Sequence, residues 1–256
     1  MKLQVPCNQC AREFVESGGK NHASLSYSLL SVNDDGIYEL ECSRGHKSVT
    51  TLSAERFEIL FEIGANAILD GYFREAVSSF TSSLERFYEF FLNLVAIKQG
   101  IPEDAYEKAW KHLKNQSERQ TGAFILIWLL ETGNEPSQLS SKSREFRNNV
   151  IHKGKIPSKD EAIEFGNTIL DLLQEGIEIV RANYEDQRGT LMGRRTMRFP
   201  REKYGEHVGG GMGISTIASV HNRDAPKTLE EGLEKLAKSR ELTSILEQAG
   251  LTNRSS

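Results

Sequence analysis

From Tyr72 to Ile97 the chain carries Phe73, Ala76, Val77, Phe80, Leu84, Phe87, Phe91 and Leu94 at spacings of three and four. Such spacing gathers them on one broad face of an α-helix, and a face so long and aromatic must be buried by other helices. The chain is thereby constrained to a helical bundle, with these phenylalanines as core. The flanking sequence agrees with this. Phe57, Leu60, Phe61, Gly64, Ala65 and Ile68 repeat the helical period, and Pro102-Glu103 suits the first turn of a helix through about Asn115. Gly122 to Leu130 is apolar all round and is expected to be buried. A helix from about Gln138 carries Phe146, Val150 and Ile151, and Ser158-Lys159-Asp160-Glu161 is a capping box opening a last bundle helix to about Asn183. His112 is expected at the surface.

Before Leu52 the periodicity is that of strands. The chain has three cysteines, and all fall into two ligand pairs, Cys7-Asn8-Gln9-Cys10 and Cys42-Ser43-Arg44-Gly45-His46. Three thiolates and an imidazole make a closed tetrahedral site for structural zinc. Between the pairs, Leu25 to Leu29 and Ile37 to Glu41 flank the turn Asn33-Asp34-Asp35-Gly36, predicting a β-hairpin. A segment of roughly 50 residues with so few large apolar side chains needs such a cross-link to fold. Two alternatives stand beside it: a redox Cys-x-x-Cys pair, which leaves Cys42 and His46 unexplained, and His22 in place of His46 as fourth ligand. A closed site leaves no open position for catalysis, so a zinc ribbon here either recognises a partner or an RNA end or packs on the bundle.

The segment Arg147-Asn148-Asn149-Val150-Ile151-His152-Lys153-Gly154 holds the chemistry of most interest. An imidazole moves protons near neutral pH, while a guanidinium stays charged and can hold a phosphate oxygen. Together they suffice for metal-independent phosphodiester cleavage. On an ideal helix five positions rotate His152 roughly 140° from Arg147. Gly154 and Pro157 should end the helix just past His152, freeing its ring and letting a second subunit complete the site, so a homodimer is expected. The plainer alternative is that both cations only complement the dipole at a helix C-terminus. Lys153 and Lys155 extend the positive charge.

This segment resembles the signature of the HEPN superfamily, helical bundles with an Arg, a polar residue after it (here Asn148) and a His four to six residues on. Arg74-Glu75-Ala76 and Leu84-Glu85 extend the resemblance, which covers roughly residues 54–184. It implies a ribonuclease acting at a dimer interface in toxin–antitoxin, phage-defence or RNA-processing systems. His152 would be general acid or base, Arg147 would stabilise charge on the phosphate, and Asn148 would position substrate; the product would carry a cyclic phosphate. Glu85 could orient Arg147 or His152. Some members have a Tyr two residues after the His, which an antitoxin modifies with AMP; Gly154 stands there, so neutralisation by that route is not expected.

Residues 185–256 change composition again. Arg188, Arg194, Arg195, Arg198, Arg201 and Lys203 precede Gly209-Gly210-Gly211-Met212-Gly213, which lacks the Lys-Ser/Thr of a phosphate loop and reads as flexible. The basic cluster could grip RNA phosphates or an acidic partner. Thr228-Leu229-Glu230-Glu231 then caps an amphipathic helix with Leu233, Leu236, Leu242, Ile245 and Leu246. A net charge of -4 excludes a wholly basic nucleic-acid coat, so any RNA contact must be local. No apolar run approaches ~20 residues and the start lacks a signal-peptide core, so a cytoplasmic protein without a membrane segment is expected.

The expectation is therefore a mainly α chain: a small β zinc ribbon over 1–53, a HEPN-like up-and-down bundle over 54–184, and a basic, glycine-containing linker with a C-terminal helix over 185–256. The function expected is metal-independent endoribonuclease, with RNA, a second copy and an antitoxin or other protein as partners. The contrasting readings are a non-catalytic nucleic-acid- or protein-binding adaptor and an inactive regulatory subunit.

Overall fold

The computed structural model describes residues 1–19, 26–199, 201–204, 208–214, 216–248 and 252–254. It is mainly helical. The order is β1 (Lys2–Pro6), α1 (Asn8–Glu16), β2 (Tyr27–Ser31), β3 (Ile37–Glu41), β4 (Lys47–Leu52), α2 (Arg56–Leu69), α3 (Phe73–Lys98), α4 (Glu103–Trp110), α5 (Ser117–Thr132) and α6 (Ser141–His152). Then follow α7 (Lys159–Asn183), α8 (Glu185–Arg198), α9 (Arg201–Tyr204), β5 (Val208–Met212), α10 (Leu229–Gln248) and β6 (Thr252–Arg254). These elements form two units, one of Met1–Ala54, Arg198–Ile214 and Glu234–Ser256, the other of Glu55–Met197 and Ser215–Leu233.

The helical unit is built on α3. Its stripe of Ala76, Val77, Phe80, Leu84, Phe87, Phe91 and Leu94 is buried as expected, and α2, α5, α6 and α7 pack on it. Each fully buried Phe contributes roughly 1.5–3 kcal/mol by leaving water. Glycines let the neighbours come close. A Cβ on Gly64 of α2 would lie 2.6 Å from the Phe80 ring, and one on Gly176 of α7 would lie 2.2 Å from the Phe87 ring. Phe91 contacts Phe124 and Trp128 of α5 and Tyr184 just after α7, with ring centroids 5.2–5.6 Å apart. The capping box expected at Ser158 is present, Ser158 and Glu161 each accepting from the other's backbone N–H.

Helix α5 departs from expectation. It buries Gln120, Phe124 and Trp128 against α3, while Leu126 is 57 % and Leu130 71 % exposed and Leu129 is exposed too. The stretch Thr121–Leu130 carries no charge, so a helix that is apolar all round has one apolar side on the core and a second in solvent.

In the other unit the expected pairing is corrected. Tyr27–Ser31 pairs antiparallel with Lys2–Pro6, and Ile37–Glu41 pairs with Lys47–Leu52; the two segments flanking the Asn33–Gly36 turn belong to different sheets, ordered β1-β2-β6 and β3-β4-β5. Leu25 lies outside the described residues. Where composition suggested a loose glycine linker, Val208–Met212 runs parallel to β4 as an edge strand.

Gly176→Ala sets helix propensity against packing. Alanine gains about 1 kcal/mol in a helix interior, but pressing a methyl into the Phe87 ring costs roughly 1–3 kcal/mol and lengthens the α3–α7 approach. The variant is expected to melt below wild type in a thermal denaturation followed by circular dichroism.

Candidate functional site

The first constellation is a candidate metal centre. Strand β1 delivers Cys7 to the N-cap of α1, so Cys10 sits one turn into that helix, while Cys42 and His46 close the tight turn of the β3–β4 hairpin. That turn is held by Cys42 N–H to the His46 carbonyl (3.0 Å) and Gly45 N–H to the Cys42 carbonyl (2.8 Å), with Gly45 at φ +77°. The ligand atoms of Cys7, Cys10, Cys42 and His46 all lie within 4.8 Å of one another and can hold a metal ion. The three thiols are buried. Cys10 Sγ stands 3.8 Å from Cys42 Sγ and 3.4 Å from His46 Nδ1, and Cys7 Sγ stands 3.8 Å from that nitrogen. It is therefore Nδ1 that faces the thiols, and Nε2 points toward Glu13 Oε1 at 3.9 Å. Glu13 in turn pairs with Arg44 at 2.6 Å, and Arg44 Nη1 reaches Cys10 Sγ at 3.6 Å.

Charge in this cluster follows from its crowding. Burial, then the neighbouring Cys7 and Cys42, push the Cys10 thiol up to about 12. Burial raises Cys42 as well, but the backbone N–H groups of Arg44 and His46 together with hydrogen bonds from Cys7 and Cys10 outweigh it, and the net direction is down. A bound cation would reverse the logic at Cys10 by favouring the thiolate. His22, the alternative ligand, lies outside the described residues.

The second constellation is the end of α6. Ser140 caps this helix by accepting from Ser143 N–H, and Gly154 at φ +75° ends it just past His152, as the sequence predicts. Asn148 and His152 are exposed, whereas Arg147 is half-buried. The Arg147 Nε is buried and has no hydrogen-bond partner among the described residues. Its charge lies near Tyr88 of α3, whose phenol is raised by burial and by the Glu85 carboxylate and is drawn the other way by Arg147. Glu85 itself accepts from Ser117 Oγ at 2.5 Å, and Arg86 pairs with Glu89 at 2.8 Å and Gln120 at 3.1 Å. Lys155 turns away to Glu161 at 2.6 Å and covers the Phe146 ring, while Lys153 stays exposed.

The basic cluster of the tail is largely committed within the chain. Arg194 pairs with Glu103 at 3.7 Å, Arg195 with Glu55, and Arg188 with His221 Nδ1 at 2.8 Å; in the other unit Lys203 pairs with Glu39 at 3.1 Å. The side chains of Arg198 and Arg201 lie outside what is described.

Sequence reasoning missed a third set. Glu58 and Glu62 of α2 are 1 % and 5 % exposed, among the phenylalanines of the core. Nothing in a helical pattern separates a buried glutamate from a solvated one, and the only signal was their position directly beside Phe57 and Phe61. Among the described residues, no helix is long and apolar enough to cross a membrane. Comparison with known proteins returned no match to a family model, a curated protein or a solved structure.

Proposed function

We propose that this protein is a metal-independent, HEPN-like endoribonuclease acting as a homodimer, with a structural zinc ion in its smaller unit. The observation that carries the catalytic reading is Arg147, whose Nε donor is buried and has no partner among the described residues, on the helix whose exposed end carries His152. A buried donor without an acceptor costs about 1–3 kcal/mol, a cost that a phosphate oxygen removes on binding. In the reaction the ribose 2′-oxygen attacks phosphorus, the bond from phosphorus to the 5′-oxygen breaks, and a 2′,3′-cyclic phosphate remains. One His152 takes the 2′-hydroxyl proton and the His152 of a second copy protonates the leaving 5′-oxygen, since one imidazole begins in one protonation state. Arg147 balances the charge growing on the non-bridging oxygens, and Asn148 positions the strand.

A second copy is supported by α5. An isologous contact sets each patch against itself, so like charges would meet; the uncharged face of Leu126, Leu129 and Leu130 escapes that repulsion. Its N-terminal half reaches toward the Arg147 side of α3 through Phe124, which stacks on Tyr88 at 4.2 Å.

Zinc is supported by distance. With Zn–S bonds of about 2.3 Å, two sulfurs on a tetrahedron stand about 3.8 Å apart, and a sulfur and an imidazole nitrogen about 3.5 Å. The separations of 3.8 Å between Cys10 and Cys42 and of 3.4 and 3.8 Å from His46 Nδ1 match that solid. Zinc here cross-links a strand–helix junction to a hairpin turn and supplies folding energy.

End-labelled RNA incubated with wild type in EDTA should be cut to fragments with cyclic-phosphate ends. Arg147→Ala and His152→Ala, each still folded by circular dichroism, should lose roughly 10²–10⁴-fold in rate; RNA that binds but stays uncut favours the adaptor reading instead. Leu126→Glu combined with Leu130→Glu should move the protein from dimer to monomer in light scattering and abolish cleavage while leaving helicity intact. Cys42→Ser should drop bound zinc below stoichiometric in elemental analysis and expose residues 1–19 and 26–54 to protease, with the helical unit surviving.

A further inference from the structure

Thr216–Val220 is a buried, irregular piece of backbone, and buried backbone groups must find partners. No sheet supplies them here. Ile217 N–H donates to Glu62 Oε2 at 3.1 Å and Val220 N–H to Glu58 Oε1 at 2.6 Å, while Glu58 Oε2 accepts from Glu55 N–H at 2.5 Å. Arg181 of α7 donates to the Ser219 carbonyl and to that of Asn222 just beyond at 2.6 Å and to the Val220 carbonyl at 3.0 Å, while the Ala218 carbonyl accepts from Thr216 Oγ1 at 3.1 Å. The segment is thus held to α2 through two buried carboxyl groups and to α7 through one guanidinium. It also seats the start of α10: a Cβ on Gly232 would lie 2.6 Å from Ile217 Cδ1.

We infer that residues 216–222 form a proton-operated strap, seated on α2 while Glu58 and Glu62 hold protons and lifted as they ionise. Nothing in the ribonuclease reading requires it.

The charges around the pair decide the sign. Glu58 faces Glu55 on its own helix, Arg188 from α8, which contacts His221 of the strap, and Arg195 from α8, which is spent on Glu55; Arg181 lies on α7. Glu62 faces the Ile217 amide and no described charge. Burial raises both carboxyls from 4.5 to about 7, against the amides of Glu55 and Val220 at Glu58 and of Ile217 at Glu62. His221 is lowered, by burial first and then by Arg188, Arg181 and Arg195, so it stays neutral into mildly acidic solution. Lifting the strap hydrates the carboxyls and returns them toward their ordinary value, so the seated form binds the extra protons. Its advantage is complete below the ordinary carboxylate range and is lost as pH rises through about 7. A lifted strap uncovers Ile217 and Val220 and frees the first turn of α10.

The test is hydrogen exchange on the full chain, following the amides of 216–222 against those of α3 as internal reference. Between about pH 4.5 and about pH 7 the strap-to-α3 protection ratio should fall by up to roughly tenfold per pH unit for each ionising group, and it should level off at higher pH. In Glu58→Gln/Glu62→Gln, which removes the titration and one of the two Glu58 acceptor oxygens, the ratio should be lower at acid pH but flat across the range. Glu62→Gln alone should halve the slope on a logarithmic scale. A wild-type ratio that does not change between about pH 4.5 and about pH 7 overturns the strap, however the variants fold, and so does an equal fall in the double variant.

Discussion

The close approach of helix backbones to the α3 phenylalanines governs the rest of the helical unit. Phe80 lies against Gly64 of α2 and Gly166 of α7, and Phe87 against Gly176 of α7, at separations that leave no room for a methyl group. With those two helices drawn in, the remaining perimeter of α3 offers Tyr88 and Phe91 to α5, and Phe124 and Trp128 fill it. Helix α6 completes the layer through Val150, fully buried one turn from Arg147. The position of the guanidinium thus follows from how α6 packs, and its Nε has no hydrogen-bond partner among the described residues.

Electrostatics in this acidic chain is mostly local compensation. The tail's arginines look like a nucleic-acid patch in one dimension, but Arg194 and Arg195 meet Glu103 and Glu55 in three. What remains for an anion on and just after α6 is Arg144, Arg147, His152 and Lys153, with Lys142 paired to Glu164 and Lys155 to Glu161. A small positive site on a chain of net charge -4 favours a ligand whose charge is concentrated at one phosphate over a long stretch of duplex.

Much of this was legible in the sequence. The α3 stripe, the Ser158 capping box and the Gly154 stop are local signals, each written within a turn or two of the residues it governs. The cluster of Cys7, Cys10, Cys42 and His46 was legible because such a set of side chains has few uses other than holding a metal ion. The β2 partner was not, since alternation marks a strand without naming its neighbour, and Tyr27–Ser31 chose β1 over β3. Nor was the exposure of Leu126 and Leu130, because an all-apolar helix gives no preferred face. The buried glutamates were least legible of all: Glu62 meets its amide 155 positions away at Ile217, and no local pattern encodes a contact at that range.

Burying Glu58 and Glu62 is costly, and the arrangement makes sense only against what an apolar pair would do in their place. Leucines at both positions would pack well but leave the Ile217 and Val220 amides, and through them the whole of Thr216–Val220, without acceptors. Two unsatisfied buried donors cost about as much as two well-packed apolar side chains return. Carboxyls resolve the conflict by accepting from the strap in either protonation state, at the expense of making its seating sensitive to protons. At Glu62, which accepts a single amide, a glutamine would serve as well without that sensitivity, whereas Glu58 accepts from both the Glu55 and Val220 N–H groups and uses both its oxygens; it is therefore the glutamate at position 62 that packing and hydrogen bonding alone do not explain.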